Sequence, residues 1–99
     1  MMLEKSVKDK VKELLAARGA WWFMPVQSGF GATAVDFLGC YRGRAFGIET
    51  KRPGVNNVTP RQRFVMQSIR DAGGFTCVEN DPDCPSVREM LARIEKAPL

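Results

Sequence analysis

The sequence predicts an α/β domain with its elements in the order α-β-β-β-α-β-α and its four strands in one mixed sheet. Three observations predict it. The chain has 99 residues and weighs 11.1 kDa. A single domain of that size buries only about 60–65% of the surface its unfolded chain exposes, so it holds one modest sheet and two or three helices. Apolar residues recur at helical spacing over 3–17, 59–72 and 86–94. Short aromatic or β-branched runs bounded by glycine and proline lie between them.

Residues 3–17 place Leu3, Val7, Val11, Leu14 and Leu15 in one arc of a helical wheel, and Arg18-Gly19 ends the helix. Residues 20–27, AWWFMPVQ, read as an aromatic strand, with Pro25 marking an edge or a bend. Residues 28–34 are a loop. Val35–Tyr41 and Arg44–Lys51 read as two strands of a hairpin joined at Arg42-Gly43, and 52–58 form a second loop. Thr59-Pro60-Arg61-Gln62 is a helix start: Thr59 caps, Pro60 takes the first helical position and Gln62 completes a T-x-x-Q capping box. That helix carries Phe64, Val65, Ile69 and Ala72 and stops at Gly73-Gly74. Residues 75–79, FTCVE, form the fourth strand. Ser86 to Glu89 read as a second capping box, opening a helix with Val87, Met90, Leu91 and Ile94 on one side. No repeat, linker or low-complexity stretch interrupts this single domain, residues 1–99.

Composition narrows the chemistry. The chain has no histidine, which excludes a Ser-His-Asp triad, a histidine base and every histidine-containing zinc site. Cys40, Cys77 and Cys84 show no CxxC spacing and are too few for a four-cysteine site. An enzyme built from this chain relies on carboxylates, lysines or a hard metal ion. No apolar run approaches the ~20 residues that span a bilayer. The first residues have no signal-peptide core. The expectation is an intracellular, cytoplasmic protein with no membrane partner.

The net charge of +4 is uneven. Residues 42–70 hold six arginines and Lys51 against one acid, Glu49, whereas 71–99 are net acidic. Arginine forks suit phosphate oxygens, so the middle third is a candidate nucleic-acid face.

The hairpin register brings two acids together. If Tyr41 and Arg44 flank a two-residue turn, paired residue numbers add to 85, and Asp36 faces Glu49 with Cβ atoms roughly 4.5–5.5 Å apart. Lys51 lies on the same face. A divalent cation suits such a pair, because Mg²⁺ takes carboxylates, waters and substrate phosphates. Two alternatives stand beside this reading. A longer loop with a bulge at Gly43 shifts the register by one, and the three charges also suit a plain surface salt bridge. In the first helix Glu4 falls inside the apolar arc, where it either frays into water or faces the sheet acids.

These residues resemble a known signature. Gly31-x(4)-Asp36 followed by Glu49-Thr50-Lys51 resembles the PD-(D/E)XK nuclease motif. More narrowly, EKSVKDKVKELLAARGAW, then VDFLGCYRGRAFGIETKRPG, TPRQ and DAGG are similar to a stand-alone VRR-NUC (virus-type replication-repair nuclease) domain. The resemblance runs from about Glu4 to Glu79. It departs at Val35, where the family usually has proline, a residue that gives rigidity and no ligand.

The resemblance implies a restriction-endonuclease-like core and a metal-dependent endonuclease hydrolysing DNA phosphodiesters. It places Mg²⁺ or Mn²⁺ on Asp36, Glu49, the Thr50 backbone carbonyl and Glu4, and assigns Lys51 to the attacking water or the phosphate. It assigns Gln62 to the catalytic site, with the capping box as the alternative account of that glutamine. Ser28 and Gly29 would line the mouth, and Arg52, Arg61 and Arg63 would track the DNA backbone. Stand-alone members resemble junction-resolving enzymes, which implies a homodimer acting on four-way (Holliday) junctions or branched DNA. Trp21, Trp22 and Phe23 fit either a covered core or a dimer interface, with Trp22 on the opposite sheet face from its neighbours. A non-catalytic DNA-binding module that positions a partner is the competing reading.

Overall fold

The hydrophobic arc of the first helix becomes one wall of the core. In the computed structural model, which describes residues 3–26 and 35–98, α1 (Glu4–Arg18) buries Val7, Val11, Leu14 and Leu15. It ends where Gly19 adopts a left-handed conformation and its amide returns to the Ala16 carbonyl. Then follow β1 (Trp21–Phe23), β2 (Phe37–Tyr41), β3 (Arg44–Thr50), α2 (Pro60–Asp71), β4 (Phe75–Glu79) and α3 (Pro85–Lys96). The predicted order is present. The strands lie side by side as β1-β2-β3-β4, the first three antiparallel and β4 parallel to β3. A parallel pair needs a crossover, and α2 supplies it.

Alternation along the strands separates two faces. Phe37, Tyr41, Phe46 and Ile48 join α1 and the apolar stripe of α3 (Val87, Met90, Leu91, Ile94) in the main core. The opposite face of β3 meets α2. Gly47 carries no side chain there because a Cβ would lie 2.7 Å from Ile69 Cδ1. Trp22 packs on the core side, its ring 5.6 Å from Phe37. Trp21 and Phe23 sit on the other face, 65% and 45% exposed, with ring centroids 5.6 Å apart. The predicted alternation of this cluster is therefore present.

The hairpin closes as a two-residue turn. Arg42 and Gly43 both have positive φ, 49° and 80°, as the twist-matched hairpin turn requires. The register runs from Tyr41↔Arg44 to Phe37↔Ile48, so paired numbers add to 85. It slips one residue further on. The Asp36 amide donates to the Ile48 carbonyl at 3.1 Å, so Asp36 does not sit directly opposite Glu49 as expected. The ladder therefore ends at the entry to β2, and the turn at Gly43 keeps the two-residue register.

Four other expectations need correction. β1 stops at Phe23, two residues before Pro25, which lacks the amide a ladder needs. β2 starts at Phe37 instead of Val35, for the reason just given. Phe64 is 66% exposed; Met66 is the residue that α2 buries. At α3 no Ser86 capping box forms. Cys84 occupies the cap position in a left-handed conformation, and Glu79 reaches over from β4 to accept the Val87 amide at 2.9 Å.

Candidate functional site

The site forms where β2 begins and β3 ends, beside the starts of α1 and α2. Glu49 is the penultimate residue of β3 and points to the α2 side. It is only 4% exposed. Its Oε2 accepts a hydrogen bond from Gln62 Nε2 at 2.6 Å and pairs with Lys51 Nζ at 3.3 Å. Its Oε1 is buried and has no hydrogen-bond partner among the described residues. Burial, and then the nearby Asp36 carboxylate, push its pKa up from 4.5 to about 7, against the pull of Lys51.

Gln62 joins helix and site. The Thr59 hydroxyl accepts the Gln62 amide at 3.1 Å, and Gln62 Oε1 accepts the Thr59 amide at 3.0 Å, which completes the predicted capping box. The same Oε1 accepts Lys51 Nζ at 3.2 Å. Gln62 therefore caps α2 and also contacts Glu49 and Lys51.

Asp36 is held by Thr50. Its Oδ2 accepts the Thr50 amide at 2.9 Å and the Thr50 hydroxyl at 2.5 Å. A strand residue's N–H and C=O point to the same flank, so the Thr50 carbonyl also lies on the Asp36 side. The hydroxyl contact was not foreseen from sequence. Nor was Lys8. Its ammonium lies 3.0 Å from Glu4 Oε2 and 3.8 Å from Asp36 Oδ1. Burial opposes its charge, but the hydrogen bond it donates to Glu4 and the fields of Asp36, Glu4 and Glu49 raise its pKa overall. The signal was readable: Glu4 and Lys8 are four residues apart, so they share a helix face.

The first turn of α1 thus faces the sheet acids, and Glu4 reaches Asp36 through Lys8. Among the described residues no three Asp, Glu, His or Cys side chains come close enough together to hold an ion. Two lysine ammoniums stand among the three acids instead. The donor set still suits a hard divalent cation. Asp36 and Glu49 are carboxylates on adjacent strand ends, and Glu49 Oε1 is a buried acceptor with no donor among the described residues. Such an ion takes one or two carboxylates and keeps several waters.

The predicted DNA-contacting arginines lie nearby. Arg52 follows Lys51, and Arg61 and Arg63 flank Gln62; all three are exposed. Arg63 Nη2 donates to the Val58 carbonyl at 3.3 Å. Ser28 and Gly29 lie outside the described residues. Among the described residues no helix is long and apolar enough to cross a membrane. Comparison with protein-family models, with curated proteins and with solved structures gives no match.

Proposed function

We propose that this chain is a metal-dependent DNA endonuclease with a restriction-endonuclease-like core, using Mg²⁺ or Mn²⁺ to hydrolyse phosphodiesters. The observation that carries the reading is Glu49. A carboxylate placed in near-complete burial beside a second carboxylate, with one oxygen unsatisfied among the described residues, is costly for folding alone. It suits a site whose acids are offered to a cation. Asp36 and Glu49 would hold that ion, with the Thr50 carbonyl beside them and Glu4 at the rim. When bound, the ion supplies a water of lowered pKa and neutralises charge on the phosphate.

The chain's own groups do the rest. Thr50 fixes Asp36 by two hydrogen bonds. Gln62 fixes Glu49 and Lys51 together. Lys51 Nζ is placed to orient a water or to meet the phosphate charge that grows during in-line attack. Arg52, Arg61 and Arg63 meet flanking phosphates without reading bases. We further propose a homodimer selective for four-way or branched DNA, with Trp21 and Phe23 at the contact between copies, working inside the cell.

One observation favours a second reading. Lys8 and Lys51 already neutralise much of the acid cluster, which suits a DNA-binding module that cuts nothing. The experiment is nicking of a four-way junction by wild type and Asp36→Ala, with binding measured on the same DNA. The nuclease reading expects cleavage with Mg²⁺ or Mn²⁺ that Asp36→Ala abolishes while binding persists. Absence of nicking by folded wild type with either ion favours the binding module. Sedimentation of wild type against Trp21→Ser checks the dimer.

A further inference from the structure

A cavity of about 310 Å³ lies between the 52–58 loop, α2 and β4. It falls at the small end of ligand pockets, roughly 300–1,000 Å³. Met66 and Val78 form its apolar floor, and Asn56, Asn57, Arg63 and Arg70 line its polar side. Arg70 is set in place beforehand: Nη1 donates to Thr76 Oγ1 at 2.6 Å and Nη2 to Gln67 Oε1 at 2.8 Å.

The cavity adjoins the acidic site. Val78 is the ladder partner of Glu49, so their side chains share the α2 face, with strands about 4.8 Å apart. Met66 lies one helical turn beyond Gln62. A group held in the cavity is therefore the immediate neighbour of whatever Glu49 and Lys51 hold.

We infer that this cavity takes one unstacked nucleotide of the DNA, its base on Met66 and Val78 and its phosphate at Arg63 and Arg70. An apolar floor receives the face of any base. Asparagine amides supply the donors and acceptors that base edges need. Guanidinium forks meet phosphate. A base inside a duplex is shielded by its neighbours and its pair, and extruding it costs least where it is already unpaired. The cavity thus gives the proposed enzyme a physical basis for preferring branch points, where unpaired nucleotides are found. The inference rests on the nuclease reading for its DNA, but its test does not.

The test is a titration of the metal-free full chain followed by NMR of methyl and side-chain amide groups. The probes are 2′-deoxyadenosine 5′-monophosphate and, separately, deoxyribose 5-phosphate. The expected result is that the nucleotide shifts the Met66 and Val78 methyls and the Asn57 amide. The sugar phosphate should bind roughly tenfold more weakly or worse, a factor that burying one face of a base on apolar side chains supplies. Equal responses to both probes, or shifts that map elsewhere, overturn the proposal. Asn57→Ala removes, from an exposed loop position, an amide that meets the base edge, and should weaken nucleotide binding severalfold while the sugar phosphate is unaffected. Cleavage separates the two ideas. Nucleotide binding in the cavity by a protein that cuts no DNA upholds the site and removes the nuclease. Junction cleavage that is indifferent to an abasic residue at every position flanking the nick upholds the nuclease and removes the site.

Discussion

Replacing Glu49 with glutamine should stabilise the metal-free protein at pH 8, and the gain should fade as the pH falls. Burial and the neighbouring Asp36 carboxylate raise the Glu49 pKa from 4.5 to about 7. An acid whose pKa is raised by folding binds its proton more tightly in the native state. Its cost is fully present above pH 7 and is relieved as the pH drops from 7 toward 4.5. With these values the cost is about 3 kcal/mol at pH 8 and under about 1 kcal/mol at pH 5. Glutamine keeps a carbonyl oxygen for Gln62 Nε2 and Lys51 Nζ. Its amide nitrogen takes the Oε1 position, which has no hydrogen bond to lose among the described residues.

The assay is urea unfolding of both proteins from pH 8 to pH 5 with a chelator present. Taking the difference cancels the titrating groups far from Glu49 and leaves Glu49 with the groups coupled to it, Asp36, Lys51, Glu4 and Lys8. Glutamine should add about 2–3 kcal/mol at pH 8 and under about 1 kcal/mol at pH 5, with the urea slope unchanged. A difference that is flat with pH, or a variant less stable at pH 8, refutes the reasoning. A second arm adds Mg²⁺. An ion at nine times its dissociation constant stabilises wild type by about 1.4 kcal/mol, and the glutamine variant should gain far less.

Other perturbations test the frame around the site. Lys8→Met removes the ammonium between Glu4 and Asp36; it should cost about 0.5 kcal/mol without metal and lower severalfold the Mg²⁺ concentration needed for half-maximal thermal stabilisation. Glu79→Ala removes the carboxylate that caps α3, a fully buried group, and should cost about 2–4 kcal/mol in denaturant unfolding. Gly39→Ala drives a Cβ into the Trp21 carbonyl oxygen and within 2.6 Å of Phe46 Cζ; a loss of about 3 kcal/mol, or no folded protein by circular dichroism, is expected. Arg42→Asn relieves a left-handed residue at φ 49° and should raise the denaturation midpoint by the equivalent of about 0.5 kcal/mol, after losing the Arg42 guanidinium's contact with the Tyr41 ring.

What could be read from the sequence was local and periodic. The stop at Gly19, the Thr59 capping box, the bounds of β4 and the register sum of 85 each depend on residues near one another in the chain. The misses depend on contacts between distant elements. Glu79 caps α3 from another element, and nothing at Ser86 signals that. Phe64 is exposed although its type suggests core, because α2 turns Met66 toward the sheet instead. Asp36 leaves the ladder because Thr50 offers it two donors, an arrangement that alternation along a strand does not describe. Lys8 was legible as the i+4 partner of Glu4; its contact with Asp36 required the packing of α1 against the sheet.

Gln62 shows why capping and site chemistry need not compete. A primary amide has two lone pairs on oxygen and two N–H donors. Oε1 uses both lone pairs, one for the Thr59 amide and one for Lys51 Nζ, while Nε2 donates to Glu49. The capping box fixes the side chain's orientation before the acid site adds anything, because reversing the amide would lose the Thr59 bond. That orientation presents an acceptor to the lysine and a donor to the carboxylate. The start of α2 therefore sets the positions of Glu49 and Lys51, and the helix start that the sequence made most legible is itself a wall of the site.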